Sequence, residues 1–219
     1  MISVAEEIKP TFIALTETHL HQQDPMNLQG YRIMRNDRSE YGGGIMFAYK
    51  ERLENIVLEL EQVTEHYEGI WVELNNGIGK LRLGVVYFPQ ETESKTKIEK
   101  AYHALQESIT KNKKECANIF VIGDFNAKMG RGDAEEIQSR AGQIMKKFIE
   151  HNNLVVLNHS GITTGRWTRV EGRQKSEIDY VMALNGMTAP ITQITIDEDK
   201  LFSLHYHKKS RWMYQVGVF

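Results

Sequence analysis

A single cysteine, Cys116, stands in 219 residues, so no intramolecular disulfide can form and a reducing compartment is expected. No apolar run approaches the roughly 20 residues that a membrane-spanning helix requires. Met1 is followed by Glu6, Glu7 and Lys9, not by a basic stretch and an apolar one, so no secretory signal is expected. The formal charge is only −2, which excludes a global field for nucleic acid; any basic surface has to be local. No Gly-x-Ser-x-Gly elbow supports a serine hydrolase, and no Cys/His cluster supports a zinc site. Repeats, low-complexity segments and linkers rich in Pro or Ser are also missing. What is there is ordinary: 41% hydrophobic and 26% charged residues, enough to bury a core. The expectation is one soluble domain over residues 1–219, intracellular (nuclear or cytoplasmic), with no membrane partner and no obligate protein partner.

The chain alternates hairpins with helix crossovers. Short apolar runs predict strands at Phe12–Leu15, Tyr31–Met34, Ile45–Tyr49, Ile56–Leu60, Ile70–Leu74 and Leu81–Tyr87. Asn75-Asn76-Gly77 reads as a hairpin turn. An amphipathic helix is expected from Ser94 to about Asn112, with Ile98, Tyr102, Leu105 and Ile109 on one side. A second is expected from about Glu136 to His151, burying Ile144, Met145, Phe148 and Ile149. Between them lies Ile119–Ile122, a buried strand, and Leu154–Leu157, Gly161–Trp167 and Ile178–Met182 follow. Thr168–Glu177 reads as a polar spacer, and the tail from Asp197 is poorly patterned until Trp212–Phe219. Both parallel and antiparallel pairing follow, and so many strands favour two packed mixed sheets with helices outside them, an α/β (α+β) fold.

The strand Ile119–Ile122 runs into Gly123-Asp124-Phe125-Asn126-Ala127. On extended chain, Asp124 and Asn126 would point the same way, one orienting a water and the other donating to an oxyanion. The competing reading is an Asx turn after a strand. Glu17, Tyr87 and Asp179 also sit at strand ends. If the ends converge, the pocket carries several carboxylates, which suits Mg²⁺. Gly42-Gly43-Gly44 before a strand reads as a structural glycine cluster, since no helix follows to complete a phosphate loop.

Six stretches in order carry a resemblance: Leu15-Thr16-Glu17-Thr18-His19, Gly42-Gly43-Gly44-Ile45, Val86-Tyr87-Phe88-Pro89, Gly123–Ala127, Leu157-Asn158, and Ser176-Glu177-Ile178-Asp179-Tyr180. Over residues 10–185 the chain resembles the endonuclease/exonuclease/phosphatase superfamily, most closely the apurinic/apyrimidinic-like endonuclease domains of non-LTR retrotransposons. The resemblance implies a four-layer sandwich and a Mg²⁺-dependent DNA endonuclease, with Mn²⁺ as a substitute ion and DNA as the partner. It implies Glu17 as metal ligand and Asp124 as the group that orients and deprotonates the attacking water. Asn126 would hold that water or the phosphate, Tyr87 would hydrogen-bond a phosphate oxygen, and Asp179 would orient a catalytic histidine. Trp167 corresponds to the aromatic lining the nucleotide pocket, with a core tryptophan as the other reading. Arg166 and Arg169, with Arg173 and Lys175, put basic side chains near that aromatic, suited to a DNA backbone, with a solvated charged loop as the other reading.

The sequence departs from the family pattern twice. The early strand that carries an asparagine and an acidic ligand is not present, and no Asp-His dipeptide occurs. Ser203-Leu204-His205 resembles a decayed Ser-Asp-His, with His205 as a stand-in histidine; alternatively the chain stops before that motif. Either way the expectation is a domain truncated at both ends and impaired. A dead remnant that binds nucleic acid weakly, or a phosphatase or phospholipid hydrolase of the same superfamily, are the alternatives.

Overall fold

The computed structural model describes residues 9–37, 43–75, 79–132, 137–171, 173–187, 191–196 and 215–218. The first strands are β1 (Phe12–Thr16), β2 (Tyr31–Asn36), β3 (Ile45–Lys50), β4 (Val57–Val63), β5 (Glu68–Asn75) and β6 (Lys80–Tyr87). Helix α1 (Lys95–Lys113) leads to β7 (Ile119–Asp124), and α2 (Arg140–His151) leads to β8 (Leu154–Val156). Then come β9 (Thr163–Thr164), β10 (Arg169–Glu171), β11 (Gln174–Ser176), β12 (Asp179–Leu184), β13 (Ile191–Thr195) and β14 (Gln215–Val218).

Six strands form the central sheet in the order β4-β5-β6-β7-β12-β8. Only β6 and β7 pair in parallel, which is why a helix has to carry the chain between them. That helix, α1, is capped by Ser94, whose hydroxyl accepts the Lys97 N–H at 3.2 Å. Its buried side, Ile98, Tyr102, Leu105 and Ile109, packs with Met145 and Phe148 of α2 onto Trp71, Val86, Val121 and Met182. On the opposite face Ile70, Val85 and Ile122 meet Ile45 and Phe47 of β3 and Ile194 of β13. Two smaller sheets therefore cover that face: β1-β3-β2, antiparallel throughout, and β14-β13-β9, which mixes both pairings. The result is an α+β fold in which the smaller sheets lie on one face of the mixed central sheet and the two helices on the other. Phe47 and Ile70 are fully buried between the layers, each worth about 2 kcal/mol of transfer free energy.

The strands expected up to Ile122, and those at 154–157 and 178–182, are present, with ends that differ by three residues at most. The hairpin is present too, Asn75 pairing with Lys80, although Asn76 and Gly77 lie outside the described residues. Three expectations need correction. The second helix starts at Arg140, because Ser139 caps it by accepting the Gly142 N–H at 3.0 Å. The same serine exchanges hydrogen bonds with Lys128, its N–H donating to the Lys128 carbonyl at 2.9 Å. A tertiary contact, not the apolar pattern, sets that boundary, and Ile137 is left 87% exposed. Gly161–Trp167 is mostly irregular, with only Thr163–Thr164 pairing as a strand. The supposed spacer Thr168–Glu177 folds into the β10–β11 hairpin.

At the edge of the sheet where β6 begins, Arg82 is 4% exposed and fully engaged. Its guanidinium donates to Glu73 Oε2 at 2.8 and 2.9 Å, to Asn112 on α1, and to Glu115. Lys80 takes the other Glu73 oxygen at 3.0 Å. Beside this network Cys116 is buried, its sulfur 3.2 Å from the Lys80 carbonyl oxygen and 3.3 Å from that of Asn118.

Candidate active site

The opposite edge gathers the groups singled out in the sequence. Tyr87 ends β6, Asp124 ends β7, and Asp179 opens β12. Register places Glu68 beside Tyr87, Tyr87 beside Asp124, and Asp124 beside Asp179, one row across four strands. The idea that each group sits at a strand's exit is corrected for Asp179. It stands at an entrance, and reaches the same edge because β12 runs antiparallel to β7. Glu68 arrives in the same way and escaped the sequence reading. Its signal is an acid one glycine ahead of an apolar run, which matters only once the strand's direction is known. Gly123 lets the row close up: a Cβ there would lie 1.8 Å from the Val86 carbonyl oxygen.

Glu17 reaches this row from the smaller sheet. It follows β1 with φ of 51°, a left-handed backbone that a non-glycine residue seldom adopts. Thr18 and His19 donate their N–H groups to the carbonyls of Gly44 and Gly43, each at 3.0 Å. A Cβ on Gly44 would stand 2.6 Å from Thr18 Oγ1, so the glycine permits close approach, as the structural reading of the cluster expects. Gly44 N–H donates to Glu68 Oε2 at 2.6 Å. The Tyr87 hydroxyl then donates to Glu17 Oε1 at 2.6 Å. Burial, the Glu17 charge and hydrogen bond, and the Asp124 charge all push the phenol well above its ordinary range. Tyr87 is therefore a standing hydrogen-bond donor.

Asn126 departs from the extended geometry assumed for it. Its φ is 47°, and its N–H donates to Asp124 Oδ1 at 2.8 Å, so the Asx turn is present. One Nδ2 hydrogen goes to the Phe88 carbonyl at 3.0 Å. Asp124 is 8% exposed and Asp179 is 6% exposed. Burial first, then the Asp124 charge, drives the Asp179 carboxyl well above the usual range, against the Thr168 hydrogen bond and the Arg169 charge. Asp179 Oδ2 has no hydrogen-bond partner among the described residues. His205, the proposed stand-in for its histidine, lies outside those residues.

Trp167 is buried yet belongs to none of the three apolar clusters; the Arg166 guanidinium stacks 4.1 Å from its ring centre. Arg169 opens the β10–β11 hairpin, on which Arg173 and Lys175 are exposed. A cavity of about 360 Å³ opens beside Glu17 and Tyr87, walled also by His19, His66, Gln90 and Lys97.

A family model described as the Endonuclease/Exonuclease/phosphatase family matches residues 1–200. The chain belongs to that family. Its fold is similar to that of the 3′ phosphatase NExo from Neisseria bound to product DNA hairpin, with a TM-score of 0.73 and 16% identity over 99% of this chain and 92% of that one. It is also similar to the endonuclease domain of TRAS1, a telomere-specific non-LTR retrotransposon, with a TM-score of 0.68 and 16% identity over 99% of this chain and 90% of that one. In sequence it is 34% identical over 76 residues to Craniofacial development protein 2 of Bos taurus. That match takes in 29% of this chain and 13% of the relative. Among the described residues no helix is long and apolar enough to cross a membrane.

Members of this family often use divalent metal ions in catalysis. Among the described residues, no three His, Cys, Asp or Glu side chains gather closely enough to hold one. One oxygen of Glu17, the expected ligand, is engaged by Tyr87, and Asp179 is driven toward its neutral form. By themselves the described residues make an incomplete ligand set.

Proposed function

We propose that the chain is a phosphodiester hydrolase acting on DNA, an endonuclease of the non-LTR retrotransposon type, and that these residues alone carry it in impaired form. The observation that supports this reading is the row Tyr87–Asp124–Asp179 with Glu17 hydrogen-bonded to Tyr87. Asp124 is the carboxylate that would orient and deprotonate water. Tyr87, kept protonated, would donate to a phosphate oxygen as charge builds, the preorganised donor that such a reaction needs. Asn126 keeps one amide hydrogen and its Oδ1 for water or phosphate. Arg169 and the exposed Arg173 and Lys175 offer the hairpin to a DNA backbone, with Arg166 beside them, backed by the buried Trp167. Around the two sheets the proposal includes the four-layer sandwich of the family. Impairment would follow from the absence of an Asp-His dipeptide in the sequence, the histidine that the family resemblance pairs with Asp179.

The test is plasmid nicking by the full chain, run with Mg²⁺, with Mn²⁺ and with EDTA, beside Asp124→Ala. Weak nicking that needs a divalent ion and vanishes in the variant supports the proposal. Equal background in both would make the chain a remnant that only binds. A second reading has one observation in its favour: the cavity beside Glu17 and Tyr87 is large enough for a compact phosphate ester. Turnover of a 3′-phosphorylated oligonucleotide or a phosphoinositide, without nicking, would select it.

A further inference from the structure

Asp179 is fixed by side chains where a strand would be expected. Strand β8 pairs with β12 only through Leu184–Leu154, Ala183–Val155 and Met182–Val156. Past Val156 the chain turns into Leu157–His159, so among the described residues β8 does not extend its pairing to the start of β12. Asn158, 1% exposed, fills the place with its carboxamide. Its Nδ2 donates to the Asp179 carbonyl at 3.0 Å, and its Oδ1 accepts the Val181 N–H at 2.8 Å. A strand residue would offer the same donor and acceptor from its main chain. The Asp179 N–H goes to Thr168 Oγ1 at 3.1 Å.

Both backbone groups of Asp179 thus point away from β7. That makes Asp179 and Asp124 a non-hydrogen-bonded cross-strand pair, the type in which facing side chains stand closest. The clamp is itself held. Arg131 donates to the Asn158 carbonyl at 3.2 Å and forks onto Glu177, at 2.8 and 3.2 Å. His159 Nε2 lies 2.9 Å from the same carboxylate. Burial opposes a charge on Glu177, but the hydrogen bonds and charges of His159 and Arg131 prevail and hold it below the usual range. Glu177 is two residues ahead of Asp179, so the cluster pins β12 at its first turn of chain.

We infer that Asn158 is a positioning residue: its carboxamide takes the hydrogen bonds of a ladder partner and sets Asp179 opposite Asp124, with Arg131 locking it in place. The inference rests on the reading of this edge as the reacting site, and its test is readable without activity. Asn158→Leu removes donor and acceptor at similar volume. Amide exchange at Val181 is expected to accelerate about tenfold as the start of β12 loosens. The nicking kcat is expected to fall about a hundredfold, with KM held within about twofold, because a small displacement at a reacting group is costly. Asn158→Asp keeps the acceptor and loses the donor at neutral pH, so its kcat should recover as the pH falls and the carboxyl regains a proton.

Unchanged exchange at Val181, or faster exchange with kcat intact, overturns the inference. If the parent chain does not nick at all, the endonuclease reading fails, and a carbon-13 titration of the Asp179 carboxyl decides the clamp. Its midpoint should move down toward an ordinary aspartate in Asn158→Leu, as Asp179 draws away from Asp124 and into water; an unmoved midpoint overturns the inference. Should Asn158→Leu not fold, Arg131→Met is expected to speed Val181 exchange in the same direction by less, and no change there is equally fatal.

Discussion

Strands β5 and β6 lie side by side, and their two ends handle charge in opposite ways. At one end Glu73 faces Arg82 across the ladder; at the other Glu68 faces Tyr87. Arg82 spends its whole guanidinium on Glu73, Glu115 and Asn112, and Glu73 gains Lys80 besides. Burial works against a charge on Glu73, yet the Lys80 and Arg82 hydrogen bonds prevail and hold the carboxyl below its ordinary range. At the far end Asp124, Asp179 and Glu17 crowd together, and the Asp124 charge helps drive Asp179 upward. One end is arranged so that every charge is answered. The other keeps carboxylates close to one another, an arrangement that serves chemistry at the expense of stability.

Breaking the matched end is expected to have the largest effect. Arg82→Met leaves Glu73 buried with Lys80 alone and should cost about 3 kcal/mol in urea unfolding. A loss under about 1 kcal/mol would mean the network is ornamental. The crowded end should respond with the opposite sign. Asp179→Asn removes a buried carboxyl that its neighbours disfavour, and is expected to stabilise the fold by about 1 kcal/mol near pH 8 while lowering nicking.

The pH dependence sharpens the contrast. Glu73 and Glu177 are held below their ordinary range, so the stability they add is present above about pH 4.5 and fades as the pH falls through their folded values. Asp179 is raised, so the folded state binds the extra proton. Its effect is neutral below about pH 3.9 and increasingly unfavourable as the pH climbs toward its folded value. Thermal melts across pH should therefore lose their alkaline decline in Asp179→Asn and keep their acid one. The smallest expected effect is Ser139→Ala, about 1 kcal/mol from the lost cap of α2. It touches neither end and should leave the pH profile of the melts in place.

The strand pattern was readable because short β-branched runs such as Ile119–Ile122 and Ile70–Val72 have few alternatives. The start of α2 was not, because Ser139 is chosen as cap by its contacts with Lys128, eleven residues back along the chain. The hairpin Arg169–Ser176 escaped because its polar strands carry no apolar alternation. Of the site, Glu17, Tyr87, Asp124 and Asp179 were named from sequence and lie along one edge. Glu68 was not named, since only pairing direction tells an entrance from an exit. For Asn126 the sequence leaves two backbones open, extended chain and an Asx turn; the turn is present because the Asp124 side chain accepts its N–H. Asn158 was visible only as part of a motif, with no hint that a side chain would continue a ladder.

The lone sulfur beside the Arg82 network offers a clock that the chain already carries. Because Cys116 is sealed between the end of α1 and the lead-in to β7, an aromatic disulfide reagent can reach it only when that joint parts. The colour released over time would then report how often the quiet end of the molecule opens, with no label to introduce and no second thiol to confuse the signal.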